Sequence, residues 1–297
     1  LEHLIQTFGT LPPTLFTPNF APREDYERGF ELGARVTLDS LFPLEAWPEV
    51  FRGREVFVRI DPGRGRGHHR FVVTAGSQSK FGVPVDELER LQELVKRLDL
   101  RVVGLHAHAG SGILDAGAWR EKALLLADVA GLFDSVQTLD LGGGLGIPDR
   151  AGHPALDLAA VDASLDHFRL ANPDLELWLE PGRFLVAQAG VLLARVTQVK
   201  RKGERTYVGI DAGMNSLIRP ALYGAWHEIV NISRTGPSMT VDVVGPICET
   251  GDVLGHSRQL PEATATGDLV TILTAGAYGR SMASSYNLRP PARETVV

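Results

Sequence analysis

Between residues 14 and 180, short apolar runs and helical stretches alternate six times with only brief connections. The runs cover 14–17, 35–40, 56–60, 102–106, 138–141 and 177–180, and they have the length and β-branched or aromatic content of strands. Between them, 22–32, 44–51, 85–98, 119–133 and 156–170 read as helices. In 85–98 the residues Leu88, Leu91, Leu94, Val95 and Leu98 fall at helical spacing. This alternation predicts a parallel β/α domain, because parallel neighbours need a crossover and a helix supplies it. Short strands that close in polar or glycine-rich turns favour a (β/α)8 TIM-like barrel over an open sheet. Six of its eight units are visible in the sequence. A helix at 1–5 opens without a cap, so the other two units are expected upstream of Leu1.

After about Gly190 the helical spacing stops. Runs at 191–196, 206–210, 239–244 and 269–273 are β-rich and separated by turns. The expected organisation is an N-terminally incomplete barrel over 1–189 and a mostly β domain over 190–297. A chain of 297 residues that is 44% hydrophobic has enough apolar side chains for both cores. The net charge of -6 argues against a nucleic-acid partner. A single cysteine, Cys248, excludes an intrachain disulfide and suits a reducing compartment, so a cytoplasmic location is expected. No basic segment precedes an apolar one at the start, and the longest apolar run, 184–196, is too short to span a bilayer.

Function is expected where strands meet loops, since the strand ends of a barrel converge on one mouth. The 177–180 run stops at Glu180 and turns through Pro181-Gly182 into Arg183. The 102–106 strand runs into His106-Ala-His108-Ala-Gly110-Ser111, the 138–141 strand into Gly142-Gly143-Gly144-Leu-Gly146, and the 56–60 strand carries Arg59. Glycine-rich turns let backbone N–H groups surround a phosphate, and Ser111 adds a hydroxyl. Taken alone, the glycine run serves equally as a tight strand-to-helix turn, Glu180 and Arg183 as a surface pair, and His108 as a packed ring.

The ordered set His108-Ala-Gly-Ser111, Gly142-Gly-Gly144, Glu180-Pro-Gly-Arg183-Phe, Cys248-Glu249-Thr-Gly-Asp252 and Ala277-Tyr278-Gly resembles the fold-type III pyridoxal-phosphate decarboxylases, and among them the diaminopimelate decarboxylases. The resemblance runs from near Leu1 to near Ala292. It implies that Glu180 pairs with the protonated pyridine nitrogen of pyridoxal phosphate and keeps the ring an electron sink. Arg59 would keep Glu180 ionised, and His108 would stack on the ring face. Ser111, Gly143, Gly144, Gly182, Arg183 and Tyr278 would hold the phosphate. In such a family the active site forms at a homodimer interface. Cys248, as proton donor, and Glu249, for the distal ammonium of the substrate, would come from the neighbouring subunit. Arg219 would bind the distal carboxylate of diaminopimelate, with Tyr223 and Tyr278 beside it. The implied activity is decarboxylation of meso-diaminopimelate to L-lysine.

One family feature is missing. The lysine that carries the cofactor lies on the first barrel strand in a pattern like Val-Lys-Ala-Asn, which does not occur here. The lysines present are Lys80, Lys96, Lys122, Lys200 and Lys202; Lys80 matches a different family position, and the others fall on helices or in the second domain. The carrying lysine is therefore expected upstream with the missing strands. Two other readings stay open: another basic amino-acid decarboxylase, against which Arg219 argues, and a non-catalytic relative that binds a partner. The retained Glu180, Arg183, Gly144 and Cys248 argue against the latter.

Overall fold

In the computed structural model, the six apolar runs pair side by side, in parallel and in chain order. They are β1 (Leu15–Phe16), β2 (Arg35–Leu38), β3 (Glu55–Asp61), β5 (Arg101–His106), β6 (Thr138–Asp140) and β7 (Glu176–Trp178). A two-residue strand not foreseen from the sequence, β4 (Val83–Pro84), adds to β3. The structure describes residues 1–61, 63, 79–148, 150 and 152–297; Pro62, in the turn expected after the third strand, lies outside them. The chain divides into two units, Leu1–Gly146 with Leu156–Pro181, and Ile147–Ala155 with Gly182–Val297.

The helices of the first unit are α1 (Glu2–Phe8), α2 (Arg23–Glu31), α3 (Phe42–Ala46), α4 (Pro48–Phe51), α5 (Leu88–Leu98), α6 (Gly117–Ala130) and α7 (Leu158–Ala171). The helix expected over 44–51 is two short ones, broken at Trp47 (φ -134°, ψ 54°). Pro48 is the cause, since a residue before proline is pushed out of the helical region. Along α5, Leu88, Leu91, Leu94 and Leu98 are the buried stripe.

β2, β3, β5 and β6 are largely buried on both faces, as parallel strands under helices are, while β1 and β7 are partly exposed. Val36, Leu38, Val56, Val58, Ile60, Leu105, Leu139 and Leu141 lie on one face and are almost wholly buried. The alternate residues are of mixed size and mostly polar, charged or aromatic: Arg35 and Thr37 on β2, Phe57 and Arg59 on β3, Gly104 and His106 on β5, Thr138 and Asp140 on β6, Trp178 on β7. Phe57 pairs with Gly104 in register, and a Cβ at Gly104 would overlap the Phe57 ring. The missing side chain lets Phe57 reach β7 and stack on Trp178, with ring centroids 5.5 Å apart. The Arg35 guanidinium of β2 lies 5.1 Å from the centre of the same indole. β2 and β7 are four strands apart in the sheet, so their contact requires the sheet to curl as a barrel wall does.

The second unit contains α8 (Gly182–Val186) and is built on β8 (Leu192–Lys202), β9 (Arg205–Ile210), β10 (Ile229–Asn231), β11 (Ser238–Val244), β12 (Val253–Pro261) and β13 (Leu269–Ile272), with a short α9 (Arg219–Tyr223). Its sheet order is β10-β13-β8-β9-β11-β12, and every pairing is antiparallel except β9 with β11. β10 also lies against β12, so the sheet nearly closes. Leu192, Ala194 and Val196 alternate inward along β8 and join Val208, Ile210, Val241, Val243, Leu254 and Val270 in its core. β10 and β12 were not expected: the first is very short, and the second carries the polar run His256-Ser257-Arg258-Gln259. No described helix is long and apolar enough to cross a membrane.

Candidate active site

Strand register assembles the charged residues of the first unit. Arg59 pairs with His106, His106 with Asp140, and Asp140 with Trp178. Glu180 follows two residues beyond Trp178, and Asp39 one residue beyond β2. All stand at C-terminal ends of parallel strands, the end that carries the site in a barrel. Arg59 Nη1 lies 3.4 Å from Asp39 Oδ1, with both side chains almost fully buried, and Gly82 N–H donates to the same oxygen at 3.2 Å. His106 Nε2 is 3.4 Å from Glu180 Oε2. Asp140 Oδ1 accepts from Gly142 N–H at 2.8 Å. Lys122, reaching in from α6, donates its Nζ to the Leu141 carbonyl at 2.5 Å and is only 4% exposed.

The two neighbouring carboxylates are tuned apart. Burial raises the pKa of Glu180, but His106, His108 and Arg59 together outweigh it and hold the group below its ordinary value. Asp140 is pushed up, by burial first and by adjacent Glu180, against the pull of His106 and the Gly142 N–H. Glu180 is thus the carboxylate that stays ionised, with Asp140 more ready to keep a proton. Asp39, Arg59, Lys122 and Asp140 are buried here, and Glu180 is the exposed member of the group, its side chain 40% accessible. His106 Nδ1 is buried without a hydrogen-bond partner among the described residues. The ionised, accessible Glu180 carboxylate could pair with the N–H of a cationic ring. His106, Asp140 and Glu180 also offer ligand atoms within 4.8 Å of one another, a set that can hold a metal ion.

His108 Nδ1 accepts from Gly143 N–H at 3.1 Å. Burial, then Lys122, His106 and Arg59, bring its pKa down to about 4, Glu180 opposing. The ring is therefore neutral near pH 7, with its proton on Nε2. The glycine turn is built into its surroundings: a Cβ at Gly143 would overlap the Glu180 carbonyl, and one at Gly144 (φ 92°) the Gly110 carbonyl. Ile113 N–H donates to the Gly144 carbonyl and Gly146 N–H to the Ile113 carbonyl, each at 2.9 Å, which ties the turn to the segment carrying half-buried Ser111.

In the second unit, Gly182 and Arg183 lie on α8 and Arg219 opens α9. Arg219 is 7% exposed, and no described carboxylate pairs with it. Its pKa is lowered by burial and by the Arg183 charge, with the hydroxyls of Tyr278 and Tyr223 acting in the other direction. Arg183, Tyr223 and Tyr278 are thus each within electrostatic reach of Arg219. Tyr278 has left-handed backbone (φ 58°), which is rare for an aromatic residue. Cys248 is exposed, so it is not a core filler. Next to it, Glu249 Oε1 accepts a hydrogen bond from the Tyr286 hydroxyl. Asp252 of the same motif takes backbone N–H groups of Met214 (2.6 Å) and Ile247 (2.7 Å), and so fixes the loop that presents Cys248 and Glu249.

With this geometry in hand, the chain can be set beside known proteins. The family described as "Pyridoxal-dependent decarboxylase, C-terminal sheet domain" matches residues 38–276. A diaminopimelate decarboxylase of Methanothermobacter thermautotrophicus is 37% identical over 299 residues, covering 95% of this chain and 69% of its own length. The chain belongs to the pyridoxal-dependent decarboxylases. A crystal structure of diaminopimelate decarboxylase superposes with a TM-score of 0.85 at 34% identity, over 97% of this chain and 72% of that one. The enzyme from M. jannaschii in co-complex with L-lysine gives 0.84 at 31% identity, over 98% and 71%. These decarboxylases share the barrel-plus-sheet fold, and pyridoxal phosphate is the cofactor of the family. The first unit's mouth fits that group: an ionised carboxylate for a ring nitrogen, a neutral imidazole beside it, and glycine turns without side chains.

Five residues of these clusters carry no motif in the sequence: Asp39, His106, Lys122, Asp140 and Tyr286. The first, second and fourth carried a signal in the period-two alternation, which puts Asp39, Asp140 and His106 on the same face as Arg59. Lys122 looks like an ordinary helix-surface lysine until α6 is docked.

Proposed function

We propose that this chain decarboxylates meso-diaminopimelate to L-lysine and CO2 with pyridoxal phosphate. Arg219 is the observation that carries the choice of substrate. A buried guanidinium without a carboxylate partner is costly by several kcal/mol unless an anion completes it. Diaminopimelate brings a distal carboxylate; ornithine and arginine have none beyond the one lost as CO2. When bound, the cofactor supplies an electron sink for the carbon that releases CO2. Glu180 holds the ring nitrogen as a cation, Arg59 and His106 keep Glu180 ionised, and neutral His108 covers the ring without adding charge. Ser111, Gly144, Gly182, Arg183 and Tyr278 bind the phosphate, while Gly143, whose N–H is given to His108 Nδ1, orients that ring instead. Arg219 and Tyr223 orient the distal carboxylate, with Tyr278 bordering the substrate.

Tyr286 holds Glu249, and Asp252 fixes the loop that carries Cys248 and Glu249 to an exposed surface. In our reading a homodimer brings that surface to the partner's mouth, where Cys248 Sγ returns a proton to the decarboxylated carbon and Glu249 takes the distal ammonium. A cytoplasmic location suits the lone cysteine.

The test is release of CO2 and lysine from meso-diaminopimelate by the full-length protein with pyridoxal phosphate, with ornithine and arginine as competitors. Preference for diaminopimelate supports the reading. Faster turnover of ornithine or arginine would assign the chain to another basic amino-acid decarboxylase. Absence of a visible absorption band on adding the cofactor would favour a non-catalytic binding role.

A further inference from the structure

Among the described residues of the second unit, His227 is the most buried titratable group, 0% exposed. It comes eight residues after Arg219. Gly224 ends α9 in a left-handed conformation (φ 62°), and the chain returns through Ala225 and Trp226 to place His227 just before β10. The Arg219 Nη1 and His227 Nε2 atoms are 3.0 Å apart. On the far side of the ring, Nδ1 is 2.9 Å from the Leu273 carbonyl.

These two contacts determine the tautomer. A carbonyl only accepts, so Nδ1 carries the hydrogen; a guanidinium only donates, so Nε2 must present its lone pair. Burial first, and then Arg219, Arg258 and Arg183, bring the His227 pKa down to about 4 against the pull of the Leu273 carbonyl. The ring therefore stays a neutral acceptor throughout the physiological range. Asp or Glu at this position would neutralise Arg219 and leave little attraction for a ligand anion. A neutral imidazole fixes the guanidinium and leaves its charge available.

We propose that His227 is the positioning residue for Arg219: it holds one edge of the guanidinium so that the remaining N–H groups face the distal carboxylate of the substrate. This rests on the decarboxylase reading of Arg219. L-Lysine keeps that distal carboxylate after CO2 is lost from the other end, whereas 1,5-diaminopentane lacks it. The three ligands can therefore separate a carboxylate-specific effect from a general one.

The experiment compares wild type, His227→Phe and His227→Gln, each loaded with pyridoxal phosphate. It measures kcat and KM for meso-diaminopimelate and inhibition by L-lysine and by 1,5-diaminopentane. Loss of one charge-assisted hydrogen bond is expected to weaken diaminopimelate and lysine roughly tenfold in His227→Phe. It should leave 1,5-diaminopentane unchanged and kcat within about twofold. His227→Gln, whose amide oxygen can accept from Arg219, should recover most of the loss. Equal weakening of all three ligands, or no recovery by glutamine, overturns the proposal. An activity-independent readout accompanies it: 15N-resolved NMR of labelled histidine should show His227 as the Nδ1–H tautomer, shifting toward a mixture in Arg219→Met. An Nε2–H tautomer in wild type also overturns it. If wild type neither turns over diaminopimelate nor binds lysine, the substrate reading fails and takes the carboxylate role with it, while the NMR result still decides whether His227 holds Arg219.

Discussion

Lys122 gives the sharpest quantitative expectation. Its ammonium is almost completely buried and satisfied by one carbonyl, Leu141 O. Burial lowers its pKa from 10.5 to about 8, although Asp140 and Glu180 pull the other way. The folded chain thus releases this proton near pH 8 and the unfolded chain near 10.5. Between those values the unfolded chain holds more protons, so stability rises with pH; below pH 8 the full penalty of the buried charge is present. The whole shift corresponds to about 3 kcal/mol. From about pH 7.5 to about pH 9.5, roughly 2 kcal/mol of it should be relieved. Lys122→Met removes the titrating group. It also orphans the Leu141 carbonyl, at a cost of about 1–3 kcal/mol, but that cost does not depend on pH. The comparison therefore rests on the difference between pH values. Urea unfolding followed by tryptophan fluorescence, with Trp119 5.0 Å from the ammonium, reports it. Wild type should gain roughly 2 kcal/mol relative to the variant over this range. Tyr26, raised to about 12 chiefly by burial, titrates in both proteins and cancels. Parallel pH dependences would refute the assignment of a buried, charged Lys122.

Three further outcomes are expected. Gly104→Ala should destabilise the chain by roughly 1–3 kcal/mol, because its methyl overlaps the Phe57 ring that stacks on Trp178; an unchanged melting temperature would mean Phe57 can move aside freely. Glu180→Ala should lower turnover by two orders of magnitude or more, roughly 3 kcal/mol of barrier, while cofactor occupancy measured by absorbance persists; occupancy lost in step with turnover would make it a binding residue only. Mixing Cys248→Ala subunits with Glu180→Ala subunits should restore part of the activity if sites are shared in a homodimer, and no recovery over either parent would mean that each site is complete within one chain.

Much of the fold is legible in the sequence because the first unit repeats one physical solution. Each strand is an apolar run bounded by turn residues, and each helix needs an apolar stripe to cover it, so periodicity alone places six strands and their order. The second unit is harder. β12 is nine residues long, but its outward half is polar and it includes Ser257, in left-handed backbone, so no apolar run marks it. The site is legible where a motif is short-range, as in Glu180-Pro-Gly-Arg183. It is not legible where a contact spans the fold. Asp39 meets Arg59 twenty residues on and Gly82 forty-three residues on, and nothing near Tyr286 in sequence marks it as the partner of Glu249. Lys122 marks the limit: its neighbours on α6 give no sign that its ammonium reaches the carbonyl before the glycine turn.

The two histidines of His106-Ala-His108 show how much of the chemistry depends on atoms rather than residue types. Two residues apart, both leave β5 on the same side, and either could be chosen as the ring that covers a cofactor. Their partners separate them. Gly143 N–H occupies Nδ1 of His108, and four of the five influences on that ring disfavour a charge. A neutral, half-buried imidazole whose orientation is set by a backbone donor can lie against a cationic ring without repelling it. His106 is fully buried in the row between Arg59 and Asp140, with Nε2 turned to Glu180. It is also the largest of the influences that hold Glu180 below its ordinary pKa. Exchanging the roles would fail on both counts. Among the described residues no backbone donor fixes a ring at 106, and a neutral ring at 108 alone does not offset the burial of Glu180. Under the decarboxylase reading, the spacing of two would thus provide a stacking surface at 108 and, at 106, the group that keeps the neighbouring carboxylate charged.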